Sequence, residues 1–95
     1  MSDTVEGVFR VENELGLHAR PAGKFVALAA RFESEISVGS ADEWVDGRSV
    51  LSLLSLAAGR GTELRIRAAG PDAAAAVEAL GILLERPRAD GTATG

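Results

Sequence analysis

The sequence predicts an α+β fold of two layers: a four-stranded antiparallel sheet, open on one face and covered on the other by three helices. Two observations carry this. The hydrophobic period switches repeatedly between two and 3.6 residues along only 95 residues, in the order β-α-β-β-α-β-α. The cleanest strand pattern, Thr62–Ala68, sets Leu64, Ile66 and Ala68 on one side and Glu63, Arg65 and Arg67 on the other. A strand of that kind has one face in the core and one in water, which fits helices packed on a single side of a sheet.

Each element has its own signal. Val5, Gly7, Phe9 and Val11 alternate, giving a half-buried first strand. Asn13-Glu14-Leu15-Gly16 supplies turn chemistry. Phe25, Leu28, Ala29 and Phe32 then fall at i, i+3, i+4 and i+7, predicting a helix over 20–32, and Pro21 suits its first turn, where a missing N–H is harmless. Ile36 and Val38 face inward from a second strand over 34–39. Ser40-Ala41-Asp42 leads to a third strand over 43–46, where Trp44 reads as packing. After Gly47, Ser49 can cap a short helix that carries Val50, Leu51, Leu53, Leu54 and Leu56, and Gly59-Arg60-Gly61 ends it. Gly70-Pro71-Asp72 starts the last helix, with Asp72 expected as its cap. Its stripe is Ala73, Ala76, Val77, Leu80, Leu83 and Leu84, and Pro87 stops it. Residues 1–86 are expected to form one domain, and the polar stretch 87–95 a flexible tail.

Composition excludes several classes of function. Without cysteine there is no disulfide framework and no thiolate metal site, which fits a reducing, cytoplasmic setting. One histidine and scattered carboxylates cannot assemble an ordinary zinc site, so no metal and no cofactor is expected. A formal charge of −4 and four aromatic residues (Trp44, Phe9, Phe25, Phe32) offer neither a basic stripe nor a stacking platform for nucleic acid. No apolar run is long enough for a membrane span, so no membrane insertion is expected. Gly59-Arg60-Gly61 is too short for a nucleotide-binding loop and precedes a strand.

The chemistry is concentrated in Gly16-Leu17-His18-Ala19-Arg20-Pro21-Ala22. His18 lies between a turn and a helix that Pro21 fixes in place. The first N–H groups of a helix have no partner within it, and its dipole favours an anion there by roughly 0.3–1 kcal/mol. Arg20 adds a permanent fork of donors two residues away. A nucleophilic ring nitrogen, exposed amides and a guanidinium together can handle a phosphoryl group. A lone histidine at a helix start is more often a capping or surface residue, so these residues alone leave both readings open.

Beyond the physics, this heptapeptide resembles the active-centre signature of the HPr family, the histidine-containing phosphocarriers of the bacterial phosphoenolpyruvate-dependent phosphotransferase system. A second segment, Asp46-Gly47-Arg48-Ser49-Val50-Leu51-Ser52-Leu53-Leu54-Ser55-Leu56, is similar to that family's regulatory-serine region, at the expected distance. The element order is also that of the HPr fold, so the resemblance covers about residues 4–86. It implies a phosphocarrier and not an independent catalyst. His18 would be phosphorylated on Nδ1 by enzyme I, with Arg20 and the backbone of Ala19 and Arg20 steadying the phosphoryl group. Acceptors would be the A domains of sugar permeases or, alternatively, regulatory proteins of a nitrogen-type side branch. Ser49 would be the target of an HPr kinase/phosphorylase. Val50, Leu51 and Leu54 would contribute to partner docking, while Leu53 and Leu56 are expected in the core. Two departures stand out: Lys24 and Arg31 are the only basic residues late in the first helix, and Ala57 stands where a glycine is common. A ligand-sensing module of ferredoxin-like order is a third possibility, but it does not require Gly-Leu-His-Ala-Arg-Pro at a helix start.

Overall fold

The computed structural model describes residues 3–13, 16–41 and 43–85. The expected tail at 87–95 lies outside them. The elements are β1 (Thr4–Arg10), α1 (Ala19–Ala29), β2 (Glu35–Ser40), β3 (Glu43–Asp46), α2 (Val50–Ser55), β4 (Glu63–Ala69) and α3 (Ala73–Leu84). The four strands form one antiparallel sheet in the order β1-β4-β2-β3. The fold class and element order are those the sequence predicts.

Alternation along the strands separates the layers. Val5, Gly7 and Phe9 of β1 pair with Ala68, Ile66 and Leu64 of β4, and Ile36 and Val38 of β2 pair with Ala68 and Ile66. These rows face the helices, where Phe25, Leu53 and Leu80 complete a core sealed from solvent. Each such side chain contributes about 1.5–3 kcal/mol by leaving water. α3 lies over β1 and β4, while α1 packs between α2 and α3. On the opposite face Trp44 sits against Gly39 in register and reaches back towards β4. The guanidinium carbons of Arg65 and Arg67 lie 4.6 and 4.1 Å from its ring centroid. These cation–π contacts give Trp44 the packing role expected of it and half-bury both arginines.

Two expectations are corrected at the ends of the helices. α1 ends at Ala29, three residues short of Phe32. Beyond it, Arg31 and Phe32 donate to carbonyls three residues back, at 3.0 and 3.1 Å, which tightens the chain out of the α-helix. The Phe32 carbonyl is then taken by Nη2 of Arg48 at 2.6 Å, and the same nitrogen donates to the Ser34 carbonyl at 2.8 Å. Phe32 still packs on the core from this turn. Asp72 occupies the N-cap position of α3, but its side chain makes no capping bond. Its carboxylate reaches across to the start of β2 instead. The N–H of Glu33 donates to Oδ2 at 2.9 Å, and the N–H and Oγ of Ser34 donate to Oδ1 at 3.0 and 2.6 Å. Ser34 is fully buried, so this is where its hydroxyl must find a partner. Gly70 admits the approach: its φ is +151°, and a Cβ there would stand 2.7 Å from Ser34 Cα.

The Ser34 hydroxyl and the N–H groups of Glu33 and Ser34 hold the Asp72 carboxyl below its ordinary value of 3.8. A carboxylate with a depressed folded-state pKa stabilises the fold above its unfolded value and loses that contribution as pH falls through the folded value. Asp72→Asn therefore lowers the urea midpoint at pH 7, and its deficit against wild type shrinks as pH drops below 3.8. Parallel unfolding curves at pH 7 and pH 3 check this; a deficit unchanged between the two would contradict it.

Candidate functional site

His18 stands at the N-cap of α1 with extended backbone (φ −98°, ψ −170°) and makes no side-chain capping bond. It is half-buried, whereas Ala19 and Arg20 on the first turn are exposed. Pro21 and Ala22 bury that end of α1 in the core. The imidazole is thus presented to solvent by a backbone that is itself anchored.

The anchoring is mainly main-chain. Gly16 has φ of +75°, a conformation suited to glycine, and its N–H donates to the Asn13 carbonyl at 2.9 Å. The N–H of Leu17 donates to the Ala58 carbonyl at 2.8 Å, the N–H of His18 to the Gly16 carbonyl at 3.1 Å, and the N–H of Ala22 to the His18 carbonyl at 3.0 Å. The Leu17 side chain is buried. Below the loop, Val11, Leu17, Pro21, Leu83 and Leu84 line a narrow apolar crevice. The end of α3 is tied in as well, because the Leu84 carbonyl accepts from the Glu12 N–H at 3.1 Å.

These bonds determine which amides remain for a ligand. The His18 N–H is committed to Gly16, and Pro21 has no N–H. Ala19 and Arg20 contribute the N–H groups that a helix leaves without an internal acceptor. The exposed Arg20 side chain brings its cation to the same turn. The structure therefore assembles His18, Ala19 and Arg20 at one helix start, with donors and a cation of the kind that suit an anion beside a nucleophilic nitrogen. Among the described residues, no group of three or more His, Cys, Asp or Glu side chains is placed to hold a metal ion.

Ser49 lies elsewhere. It caps α2, its Oγ accepting from the Ser52 N–H at 3.2 Å. Arg48 ties this end of α2 to the turn after α1, while the other end of α2 meets Leu17 through Ala58. At about 1.5 Å per residue α2 is roughly 9 Å long, with Ser49 before its start and Ala58 beyond its end. Along α2, Leu53 is fully buried and Leu51 is 80% exposed. Val50, Leu54 and Leu56 are partly buried against the core. The Ala58 carbonyl and the Arg48 clamp were not legible as site features. One is a main-chain oxygen with no side-chain signal, and the other bonds to carbonyls that only the fold brings close.

Comparison with known proteins finds similarity along most of the chain. The family model described as "PTS HPr component phosphorylation site" matches residues 5–86. The chain is 46% identical over 69 residues to the phosphocarrier protein HPr of Pseudomonas putida, covering 72% of this chain and 77% of that protein. It is 41% identical over 87 residues to the HPr of Haloferax volcanii, covering 90% and 98%. Among solved structures, the HPr of Bacillus anthracis superposes with a TM-score of 0.82 at 36% identity, covering 85% of this chain and 96% of that one.

Proposed function

The chain belongs to the HPr family of phosphotransferase-system phosphocarriers, and from that premise we propose that His18 takes its phosphoryl group from phosphorylated enzyme I and passes it to the A domains of sugar permeases. Such a carrier is not an independent catalyst; it relays a group between phosphotransfer partners. The observation that carries the assignment to His18 is its place at the N-cap with no capping bond. An imidazole in that position is free for chemistry while its backbone is held.

In the exchange, the Nδ1 lone pair of neutral His18 attacks phosphorus in line. The new N–P bond forms as the bond from phosphorus to the donor group breaks, and that group leaves with its electron pair. Charge on the three phosphoryl oxygens is the main thing to stabilise. The N–H groups of Ala19 and Arg20 and the Arg20 guanidinium do so moderately, so the group is held without being trapped. Onward transfer reverses these steps against an acceptor nucleophile. We place this exchange in the cytoplasm. No described helix is long and apolar enough to cross a membrane.

Docking falls to the surface beside the site, with the exposed Leu51 and the half-buried Val50 and Leu54 as its apolar part. Ser49 lies at the edge of that surface. Phosphorylation of its hydroxyl by an HPr kinase/phosphorylase would add about −1.5 to −2 charges. A helix N-terminus accepts such a charge, but an acidic partner is repelled by it.

Incubation with enzyme I and phosphoenolpyruvate should add one acid-labile phosphate to the intact mass, and none to His18→Ala. A phosphate that persists in His18→Ala, or none on wild type with an active enzyme I of the same host, would overturn the assignment. Ser49→Asp should slow phosphorylation of His18 by about tenfold through weaker docking. Its melting temperature should stay near wild type, because aspartate also caps helices. Equal transfer rates for the two proteins would remove the regulatory role.

A further inference from the structure

The loop that carries His18 is held by a main-chain group delivered from the far end of α2. That helix gives way at Leu56, and the next residue, Ala57, has φ of +50°. A Cβ crowds the neighbouring carbonyl in this left-handed region, which disfavours alanine against glycine. Ala57 is exposed, so burial of its own side chain does not compel the conformation. Its N–H donates back to the Leu54 carbonyl at 3.0 Å. The consequence appears one residue on. The turn carries Ala58 inward, to 4% exposure, and aims its carbonyl at the Leu17 N–H, 2.8 Å away. The fit is close from the other side too, because a Cβ on Gly16 would stand 2.6 Å from that same oxygen. Leu17 directly precedes His18, whose own N–H folds back onto Gly16. Strained non-glycine residues persist where the surroundings over-determine them, and they gather at functional sites.

We propose that the Ala57–Ala58 turn positions His18: left-handed Ala57 aims the Ala58 carbonyl so that Leu17, and through it the imidazole, is fixed relative to the first amides of α1. Ala57 acts through the Ala58 carbonyl and Leu17, so it is a positioning residue. The proposal rests on His18 being the phosphoryl acceptor. Phosphoryl transfer depends chiefly on alignment, and a misplacement of about 1 Å can cost about a hundredfold in rate. The turn therefore sets the saturating rate of transfer, while Val50, Leu51 and Leu54 set how tightly a partner docks.

The test compares wild type, Ala57→Val and Ala57→Gly as full chains, at a temperature where all are folded by circular dichroism. Phosphorylation of His18 is followed in single turnovers against increasing phosphorylated enzyme I. Exchange of the Leu17 amide and the His18 ring resonances are read by NMR. A β-branched residue is an outlier at positive φ, so valine drives the turn out of the left-handed region. Ala57→Val should lower the saturating rate by at least about tenfold, leave half-saturation near wild type, expose the Leu17 amide to exchange and shift the His18 ring. Ala57→Gly should keep the wild-type rate and resonances. If Ala57→Val does not fold, Gly16→Ala, which presses on the same oxygen from the opposite side, carries the same expectations. A folded variant with lost Leu17 protection and a wild-type rate overturns the proposal, as does a slower rate with Leu17 protection intact. A wild-type chain that takes up no phosphate overturns the reading of His18 instead.

Discussion

The insertion of β4 between β1 and β2 is the constraint on which the rest of the molecule depends. β4 comes last of the strands in sequence, yet it holds the centre of the sheet, pairing with β1 on one side and β2 on the other. Leu64, Ile66 and Ala68 are the floor on which the helices rest, and none of them reaches solvent. Until they are in place, neither β1 nor β2 has a neighbour on the side that β4 fills, and α3 lacks part of the surface that it covers. The connections on either side of β4 inherit this geometry. At one end, Gly61 and Thr62 bond to Val11, and Gly59 and Ala58 lie against the His18 loop. At the other, Gly70 and Asp72 grip Ser34 at the start of β2. The candidate site is built at the first of these ends.

A carrier has to bind a phosphoryl group well enough to accept it and loosely enough to release it. As the proposed phosphoryl acceptor, the helix start at His18 would meet both needs through what it offers and what it withholds. It offers two amides, one exposed cation and a ring nitrogen free of capping duty. It withholds the His18 amide, which is committed to Gly16. Stabilisation by a helix terminus is modest, about 0.3–1 kcal/mol at an exposed position. The modest strength suits a site that must return to its empty state in every cycle. The Ser49 hydroxyl, by contrast, is engaged in capping the start of α2.

The fold was legible because each element obeys the local rule for its kind. Strand boundaries fell within a residue of the expected ones, and β3 coincides with its expected span. Ser49 caps α2 as its residue type and position imply. The readings that failed were those where a long-range bond outweighed a local preference. Asp72 has the right identity for a cap, but a buried hydroxyl and two amides from the start of β2 claim its carboxylate. The period of α1 continues to Phe32, yet Arg31 and Phe32 bond three residues back, and Arg48 holds that turn through the Phe32 carbonyl. At the site, His18, Arg20 and Pro21 could be picked out because side-chain chemistry announces them. The Ala58 carbonyl could not, since every residue has one and only the fold aims it.

In the proposed phosphorylated state, the phosphoryl group on His18 rests on the amides of Ala19 and Arg20 and leaves the amide of His18 where it is. Amide NMR of the chain before and after phosphorylation tests this most directly, because an N–H that donates to a phosphoryl oxygen moves its resonance downfield. The account predicts the largest downfield shifts at Ala19 and Arg20, with the His18 amide and the residues of α2 changing little. Unmoved amides at Ala19 and Arg20, with the largest changes at another helix end, would contradict it.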